Sequence, residues 1–246
     1  MLYPKFTWVM VIPVLLSCKT NEQKISGPTG ADTSNVIPLE DAELRLFDGA
    51  TLIGWHEYNR GSQEIKSWTI IDSSLVCLGS ANQSSGGDLV TDREYGNFEL
   101  SWEWKLEEGS NSGVLYHVKE DPKYKSPSET GPEFQVIDDI GYPEKLESWQ
   151  QSGADYAMHP ASAAKKLKPI GEWNSSKILY NQGHTEHWLN GKKIVEFERG
   201  TPDWQKLRMN SKWKNFPDYA RFNTGKIVLQ DYGKKAWYRN IVIKEL

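Results

Sequence analysis

The chain has 246 residues, with 29 basic and 33 acidic side chains and a formal net charge of −4 at neutral pH. A mildly acidic surface does not favour binding to nucleic acid. The length suits one large β-sandwich domain with its own hydrophobic core. There are two cysteines, Cys18 and Cys77. If Cys18 belongs to the export signal described next, the remaining thiol excludes an internal disulfide and a cysteine metal cluster.

The N-terminal segment reads MLYPKFTWVMVIPVLLSC, with one lysine, an apolar run and then Cys18. It is typical of a secretory signal and is too short to be a permanent transmembrane helix. Its last four residues resemble a bacterial lipobox, which predicts lipidation of Cys18. The alternative is an unpaired thiol after an ordinary signal peptide. We expect an exported protein, in the periplasm or on the outer surface, that contacts the membrane only through its lipid anchor.

Residues 19–42 are polar and rich in Gly, Pro, Ser and Thr. Such a composition buries little apolar surface, so this segment is predicted to be a flexible tether. We place the folded domain at residues 43–246.

From residue 44 onward the hydrophobic pattern has mostly a period of two, which predicts an all-β chain. In NFELSWEWKL, for example, Phe98, Leu100, Trp102 and Trp104 share one face of a strand. The stretch SWTIIDSSLVCL predicts one hairpin. EHWLNGKKIVEF predicts another, since Asn190-Gly191 can supply the positive φ angles of a type I′ turn.

Two stretches, 119–131 and 139–172, lack a strand pattern and are long for simple connections. They are predicted to be loops shaped around a binding face.

The stretch GPEFQVIDD, residues 131–139, contains the spacing E-x-Q-x-x-D. Laminarinase-type glucanases carry E-x-D-x-x-E on a strand, so Gln135 stands where an acid is needed. Alternation directs Phe134 and Val136 into the core and Glu133 and Gln135 together to the other face. Asp138 has the opposite parity and would join them only through a β-bulge. An ordinary retaining glucanase is therefore disfavoured.

Seven ordered blocks resemble the bacterial 3-keto-disaccharide hydrolase family. They are LFDGATLIGW, DLVTDREYGNFELSWEWKL, NSGVLYH, EFQVID, GEWNSSKI, EHWLNGKKI, and IVLQDYG followed by YRNIVIKEL. The resemblance covers residues 43–246. It implies a concanavalin-A-like jelly roll of two curved antiparallel sheets, whose concave face binds sugar. It also implies hydrolysis of glycosides whose ring carries a ketone at carbon 3.

A ketone at carbon 3 acidifies the hydrogen on carbon 2, so the group on carbon 1 can leave by β-elimination and water can then add. This route needs a base, a donor to the enolate oxygen and help for the leaving group. It needs no cofactor, because the ketone arrives already made, and a sugar 3-dehydrogenase is the expected functional neighbour. A structural Ca²⁺ of the kind found in many jelly rolls has no supporting motif here.

The first hypothesis is therefore an enzyme that cleaves 3-keto-glycosides, with Glu133 or His117 as the catalytic base or acid and with Gln135 and His187 orienting the sugar. His117 stands where the family usually has Arg, and it could act as a base near neutral pH. Tyr232 stands where the family commonly has His. Both departures favour the alternative of a non-catalytic sugar-binding lipoprotein on the same fold.

Five further residues are candidate substrate ligands, each with a structural alternative. Glu103 could be a solvated strand carboxylate, and Asn111 a turn former. Trp173 follows a long loop, where its ring could border the cleft. Asp138 and Gln230 complete the set. The sequence has no metal-ligand spacing, no G-x-S-x-G and no phosphate-binding glycine loop.

Overall fold

The computed structural model describes residues 43–79 and 87–246. The export signal, the lipidated Cys18 and the tether over residues 19–42 lie outside these ranges and stay predictions. Within the described ranges, no helix has the length and apolar character needed to cross a membrane.

In residues 43–79 and 87–246, thirteen strands build two antiparallel sheets. They are β1 (Glu43–Arg45), β2 (Trp55–Glu57), β3 (Trp68–Ile71), β4 (Ser74–Cys77), β5 (Leu89–Thr91), β6 (Phe98–Leu106), β7 (Asn111–Val118), β8 (Glu133–Ile137), β9 (Asn174–Asn181), β10 (His184–Leu189), β11 (Lys192–Glu198), β12 (Lys226–Leu229) and β13 (Ala236–Glu245). The eight-stranded sheet has the order β11-β10-β9-β6-β13-β4-β3, with β1 also paired to β13. The five-stranded sheet has the order β2-β5-β12-β7-β8. This architecture confirms the predicted all-β jelly-roll sandwich.

The hydrophobic core lies between the two sheets and follows from the alternation of apolar residues. In β6 the side chains of Phe98, Leu100, Trp102 and Trp104 are all buried in this core, as predicted. Residues between them, such as Ser101, are partly exposed on the outer face of the eight-stranded sheet. The core therefore fixes which face of each strand is available for function.

Both predicted hairpins are present. Asn190 and Gly191 have φ angles of 48° and 78° between β10 and β11, and Asp72 and Ser73 have φ angles of 49° and 53° between β3 and β4. Two consecutive positive φ angles are what a type I′ turn requires.

One helix, α1 (Pro202–Asn210), was not predicted, although its start carries a common signal. Thr201 Oγ1 accepts a hydrogen bond from Trp204 N at 3.3 Å, and Pro202 occupies the first turn. A 3₁₀ helix, Lys212–Asn215, follows at once. The two helices are anchored by a small second core that comprises Met158, Trp204, Trp213, Tyr219 and Ala220.

Candidate active site

Strand β8 separates a core face from an outer face, as its alternation predicted. Phe134 and Val136 are buried between the sheets. Glu133 and Gln135 point away from that core, yet they are only 4% and 3% exposed. The outer face of the five-stranded sheet is therefore covered at this point, and Glu133 is a buried carboxyl group.

The neighbouring strand provides room for that carboxyl group. In β7, Leu115 pairs with Glu133 and Gly113 pairs with Gln135. A methyl group added at Gly113 would overlap the Glu133 carboxylate. The glycine in the NSG block is thus required by close approach of a side chain rather than by a turn.

A second carboxyl group, Asp88, lies just before β5 and acts electrostatically on Glu133. It is half-buried, and its Oδ1 accepts a hydrogen bond from Asp231 N at 2.9 Å. Burial, together with the charge of Asp231, raises the pKa of Asp88 to about 7, against the opposing effect of the hydrogen bond from the Asp231 amide. Asp88 is thus an acid of the outer face that titrates near neutral pH.

Burial also raises the pKa of Glu133, to about 8. The charges of Asp88 and Asp155 act in the same direction, while the charge of Lys212 opposes them. In the described part of the chain, no group donates a hydrogen bond to this carboxylate. Glu133 therefore carries a proton over most of the neutral range and is a strong base when it loses that proton.

Segment 153–156 extends the five-stranded sheet beyond β8 and positions Tyr156. Gly153 N donates to Gln135 O at 2.8 Å, and Tyr156 N donates to Glu133 O at 3.0 Å. Burial, followed by the charge of Glu133, raises the pKa of Tyr156 to about 12. The Trp149 ring packs against Tyr156 edge to face, with 5.6 Å between ring centroids. Loop 139–172 thus forms one wall of the candidate site, and its contact with substrate stays a prediction.

Two more tyrosines border the site. Tyr142 and Tyr232 act electrostatically on each other and on Tyr156, and Tyr232 is 51% exposed. Tyr142 also interacts with the side chain of Asn111. Gln230 N donates to Gly113 O at 2.9 Å, so Gln230 lies directly across from Gly113 on the neighbouring strand segment after β12.

The resulting site is a covered carboxyl pair bordered by tyrosines. The sequence model of the 3-keto-alpha-glucoside-1,2-lyase-like domain matches residues 43–244. The protein belongs to this family. A curated relative, the 3-keto-disaccharide hydrolase of Bacteroides thetaiotaomicron, is 34% identical over 240 residues, which cover 85% of this chain and 81% of the relative.

Two solved structures from Parabacteroides distasonis, both provisionally named glycosyl hydrolases, share the fold. One is 44% identical, with a TM-score of 0.78, and the match covers 83% of this chain and 94% of the other. The second is 26% identical, with a TM-score of 0.56 and coverage of 78% and 99%. Together with the curated relative, they identify this family member as a hydrolase.

His117 does not lie in the candidate active site around Glu133. It is fully buried on the core side, where its Nε2 donates to Gly96 O at 2.9 Å and its Nδ1 accepts from Arg199 Nη1 at 3.2 Å. Burial and the charge of Arg199 lower its pKa to about 3. The reason is a bulge in β7, since the φ angle of 54° at His117 breaks the alternation that would have placed it beside Leu115. We correct its predicted catalytic role to a structural one.

His187 is likewise inside the sandwich rather than on the sugar face. Its Nδ1 donates to Gly153 O at 3.0 Å, and its ring lies 4.8 Å from that of Phe134. The same alternation buries Thr185 and Leu189, its neighbours in β10. The predicted contact of His187 with substrate is therefore not supported by the geometry.

Asp138 caps the turn after β8. Its carboxylate accepts hydrogen bonds from the backbone amides of Gly109, Ile140 and Gly141 at 2.8, 3.1 and 2.9 Å. These bonds hold its pKa below the usual value despite the opposing effect of burial. Asp138 thus does not reach the face of Glu133, and its role is to shape the loop.

Glu103 and Trp173 lie on the outer face of the other, eight-stranded sheet. Glu103 Oε2 is 2.6 Å from Arg239 Nε, and Arg239 Cζ lies 4.0 Å from the centroid of the Trp173 ring. Neither residue can contact a sugar that is bound at Glu133. Both predictions are corrected, since alternation alone does not tell which sheet carries the site.

Within residues 43–79 and 87–246, one group has the donors for a metal ion, namely His184, Glu186 and Glu196. It lies on β10 and β11, far from Glu133 in the fold. Lys193 Nζ already bridges Glu186 and Glu196 at 3.0 and 2.8 Å. The candidate active site offers no comparable ligand set among the described residues.

Asp88, Tyr156 and Lys212 lie at the site but are not among the residues predicted from the sequence. A signal for Asp88 was available, because it opens the DLVTDREYG block and has the same parity as Val90, whose side chain lies on the outer face. Tyr156 and Lys212 come from segments without periodicity. Only the folded topology brings them to Glu133.

Proposed function

We propose that this hydrolase cleaves glycosides whose sugar ring carries a ketone at carbon 3, by β-elimination followed by addition of water. The observation that carries the proposal is the buried Glu133 carboxyl group, which faces outward over Gly113 and titrates near neutral pH. A group with a pKa near the operating pH is suited to proton transfer at carbon.

In the first step the ketone acidifies the hydrogen on carbon 2, and Glu133 removes that proton. The electron pair forms the enolate, and the bond from carbon 1 to the leaving oxygen then breaks. A proton from the acidic partner of the pair neutralises the departing alcohol. Asp88 is the candidate for this second role, because its pKa is raised to about 7 and its charge acts on Glu133.

In the second step water adds to carbon 1 of the unsaturated ketone, and a proton returns to carbon 2. The net reaction is hydrolysis, with no change in oxidation state and no cofactor. Gln135, Asn111 and Gln230 supply amide groups that can orient hydroxyls of the sugar, while Tyr142 and Tyr156 supply ring faces for stacking. The ketone itself must come from an oxidoreductase that acts on carbon 3.

The test is to incubate the purified protein with a 3-keto-disaccharide and with the same disaccharide before oxidation, and to measure free sugar. We expect release only from the 3-keto substrate. Release from both substrates at similar rates would indicate an ordinary glycosidase. Binding without release would indicate a sugar-binding protein.

We further propose that the chain is exported and anchored through lipid on Cys18, in a bacterial cell envelope. The support is the lipobox-like Leu15-Leu16-Ser17-Cys18 at the end of an apolar run. A Cys18→Ala variant should leave the membrane fraction and should incorporate no labelled fatty acid. Labelled lipid on that variant would contradict the anchor.

A further inference from the structure

The segment after α1 holds a lysine against the site. Trp213 is 1% exposed, stacks on Tyr219 with 4.1 Å between ring centroids, and donates from Nε1 to Tyr156 O at 3.0 Å. Ser211 Oγ caps the same turn by accepting from Trp213 N at 3.1 Å. The backbone of Lys212, between these two residues, is therefore fixed to the wall formed by Tyr156.

The side chain of Lys212 lies over aromatic rings. Its Nζ is 4.1 Å from the centroid of the Tyr156 ring and 4.3 Å from that of Trp213. In residues 43–79 and 87–246 no carboxylate oxygen lies within ion-pair distance of it. A cation on two ring faces is held in place without being neutralised.

The charge of Lys212 acts electrostatically on Glu133. Among the described residues Lys212 is the one cation that lowers the pKa of Glu133. Lys212 is exposed as a whole residue, but desolvation of its ammonium group lowers the pKa of that group, which makes it a better proton donor than a fully hydrated lysine. The other titratable groups of the described residues that interact with Glu133 are Asp88, Asp155, Tyr156, Tyr219 and Tyr238.

We propose that Lys212 binds the oxygen on carbon 3 of the substrate and stabilises the enolate that forms when carbon 2 loses its proton. This inference rests on the proposed function, which supplies an acid and a base but leaves the enolate oxygen without a cation. Position 117, where the family resemblance implies Arg, carries a buried histidine here. Lys212, which comes from a different segment, fills the chemical need for positive charge.

The role predicts selectivity for the oxidised sugar. An ammonium group interacts more strongly with an enolate oxygen than with a neutral ketone or hydroxyl, so its effect belongs to the transition state. Removal of the charge should therefore lower kcat more than it changes KM. The chemistry is non-covalent, with the lysine nitrogen donating a hydrogen bond to the oxygen.

The experiment compares Lys212→Gln, Lys212→Arg and Lys214→Gln in the full protein, with a 3-keto-disaccharide as substrate. Lys214 is a lysine of the same 3₁₀ helix, is exposed like Lys212 and does not act on Glu133, so it is the matched control. We expect kcat to fall about 10²-fold for Lys212→Gln, the usual effect of removing one enolate-stabilising donor. Lys212→Arg should recover part of that loss, and Lys214→Gln should stay within about twofold of the wild type.

The pH profile is the second readout, because it depends on the charge that Lys212 places near Glu133 and not on the packing of its side chain. Loss of the positive charge raises the pKa of Glu133. The rise of kcat with pH, which requires ionised Glu133, should therefore move to higher pH in Lys212→Gln and should move less in Lys212→Arg. Unchanged kcat and an unchanged pH profile in Lys212→Gln would overturn the inference. A substrate adduct on Lys212 after borohydride reduction would also overturn it, in favour of imine chemistry. Failure of the wild type to cleave the 3-keto substrate would instead refute the proposed function.

Discussion

The outer faces of the two sheets carry acids in the same sequence pattern but in opposite environments. On the eight-stranded sheet Glu103 is 32% exposed and is ion-paired with Arg239 at 2.6 Å. On the five-stranded sheet Glu133 is 4% exposed and lies beneath the wall that carries Tyr156. Strand alternation places both carboxylates away from the core. The loops that cover only one sheet decide which carboxylate can have a raised pKa and hence a role in proton transfer.

The largest expected effect is on turnover. Glu133→Gln keeps the shape of the side chain but removes its proton transfer, so kcat on a 3-keto-disaccharide should fall roughly 10²–10⁴-fold. Glu103→Gln makes the same change on the other sheet and should leave kcat within about twofold of the wild type. Circular dichroism confirms that both variants fold. Equal losses in both variants would remove the distinction between the two faces.

The next largest expected effect comes from filling the space above Gly113 in which the Glu133 carboxylate lies. Gly113→Ala should displace the carboxylate and lower kcat by about 10-fold or more, because a 1 Å misplacement of a catalytic group is already costly. Gly96→Ala is a control at a glycine of the described chain where a methyl group meets only ordinary contacts. The measurement is kcat for both variants. Full activity of Gly113→Ala would show that the position of Glu133 is not critical.

The sequence predicts the orientation of some side chains at these two faces but not of others. Alternation correctly predicted the face of Glu133 and Gln135, because the neighbouring residues Phe134 and Val136 are buried between the sheets. Side chains at alternate positions of a strand must then point to the opposite face. It could not predict that His117 turns inward, since the left-handed backbone at that residue depends on the close approach of Gly225 to its backbone. A bulge leaves no mark in a pattern of period two.

The partners of Glu133 were harder to predict. Asp88 precedes β5, Tyr156 follows β8 by almost twenty residues, and Lys212 belongs to a helical segment. These three segments meet through tertiary pairing and through the small core around Trp213. No local sequence pattern predicts contacts between such distant segments. A hairpin turn such as Asn190-Gly191, by contrast, can be predicted from its own two residues.

The third effect is on the pH dependence of stability. The folded pKa of Glu133 is about 8, above the ordinary value of 4.5, so its protonated form favours the folded state. This contribution is fully present below the unfolded pKa and is lost as pH rises from about 4.5 to 8. Between pH 5 and 8 the free energy of unfolding of the wild type should therefore fall relative to Glu133→Gln, with a slope of at most about 1.4 kcal/mol per pH unit. Urea denaturation at several pH values measures this difference, and parallel curves for the two proteins would contradict the raised pKa.

The smallest effect belongs to the exposed ion pair. Glu103→Ala and Arg239→Ala, alone and combined, should give a coupling free energy of roughly 0–1 kcal/mol, because solvent screens a surface pair. The pair should weaken further in high salt. A coupling of several kcal/mol would mean that this face is as covered as the face of Glu133.

The most direct test of the central claim is a single turnover of a 3-keto-disaccharide in D₂O, followed by rapid analysis of carbon 2 in the released 3-keto sugar. Elimination and hydration through Glu133 predict deuterium at carbon 2 in the wild type and in Glu103→Gln. In Glu133→Gln, release should be slow and deuterium incorporation no greater than in the enzyme-free control. Release by Glu133→Gln at the full wild-type rate, with deuterium at carbon 2 as in the wild type, would contradict proton transfer through Glu133.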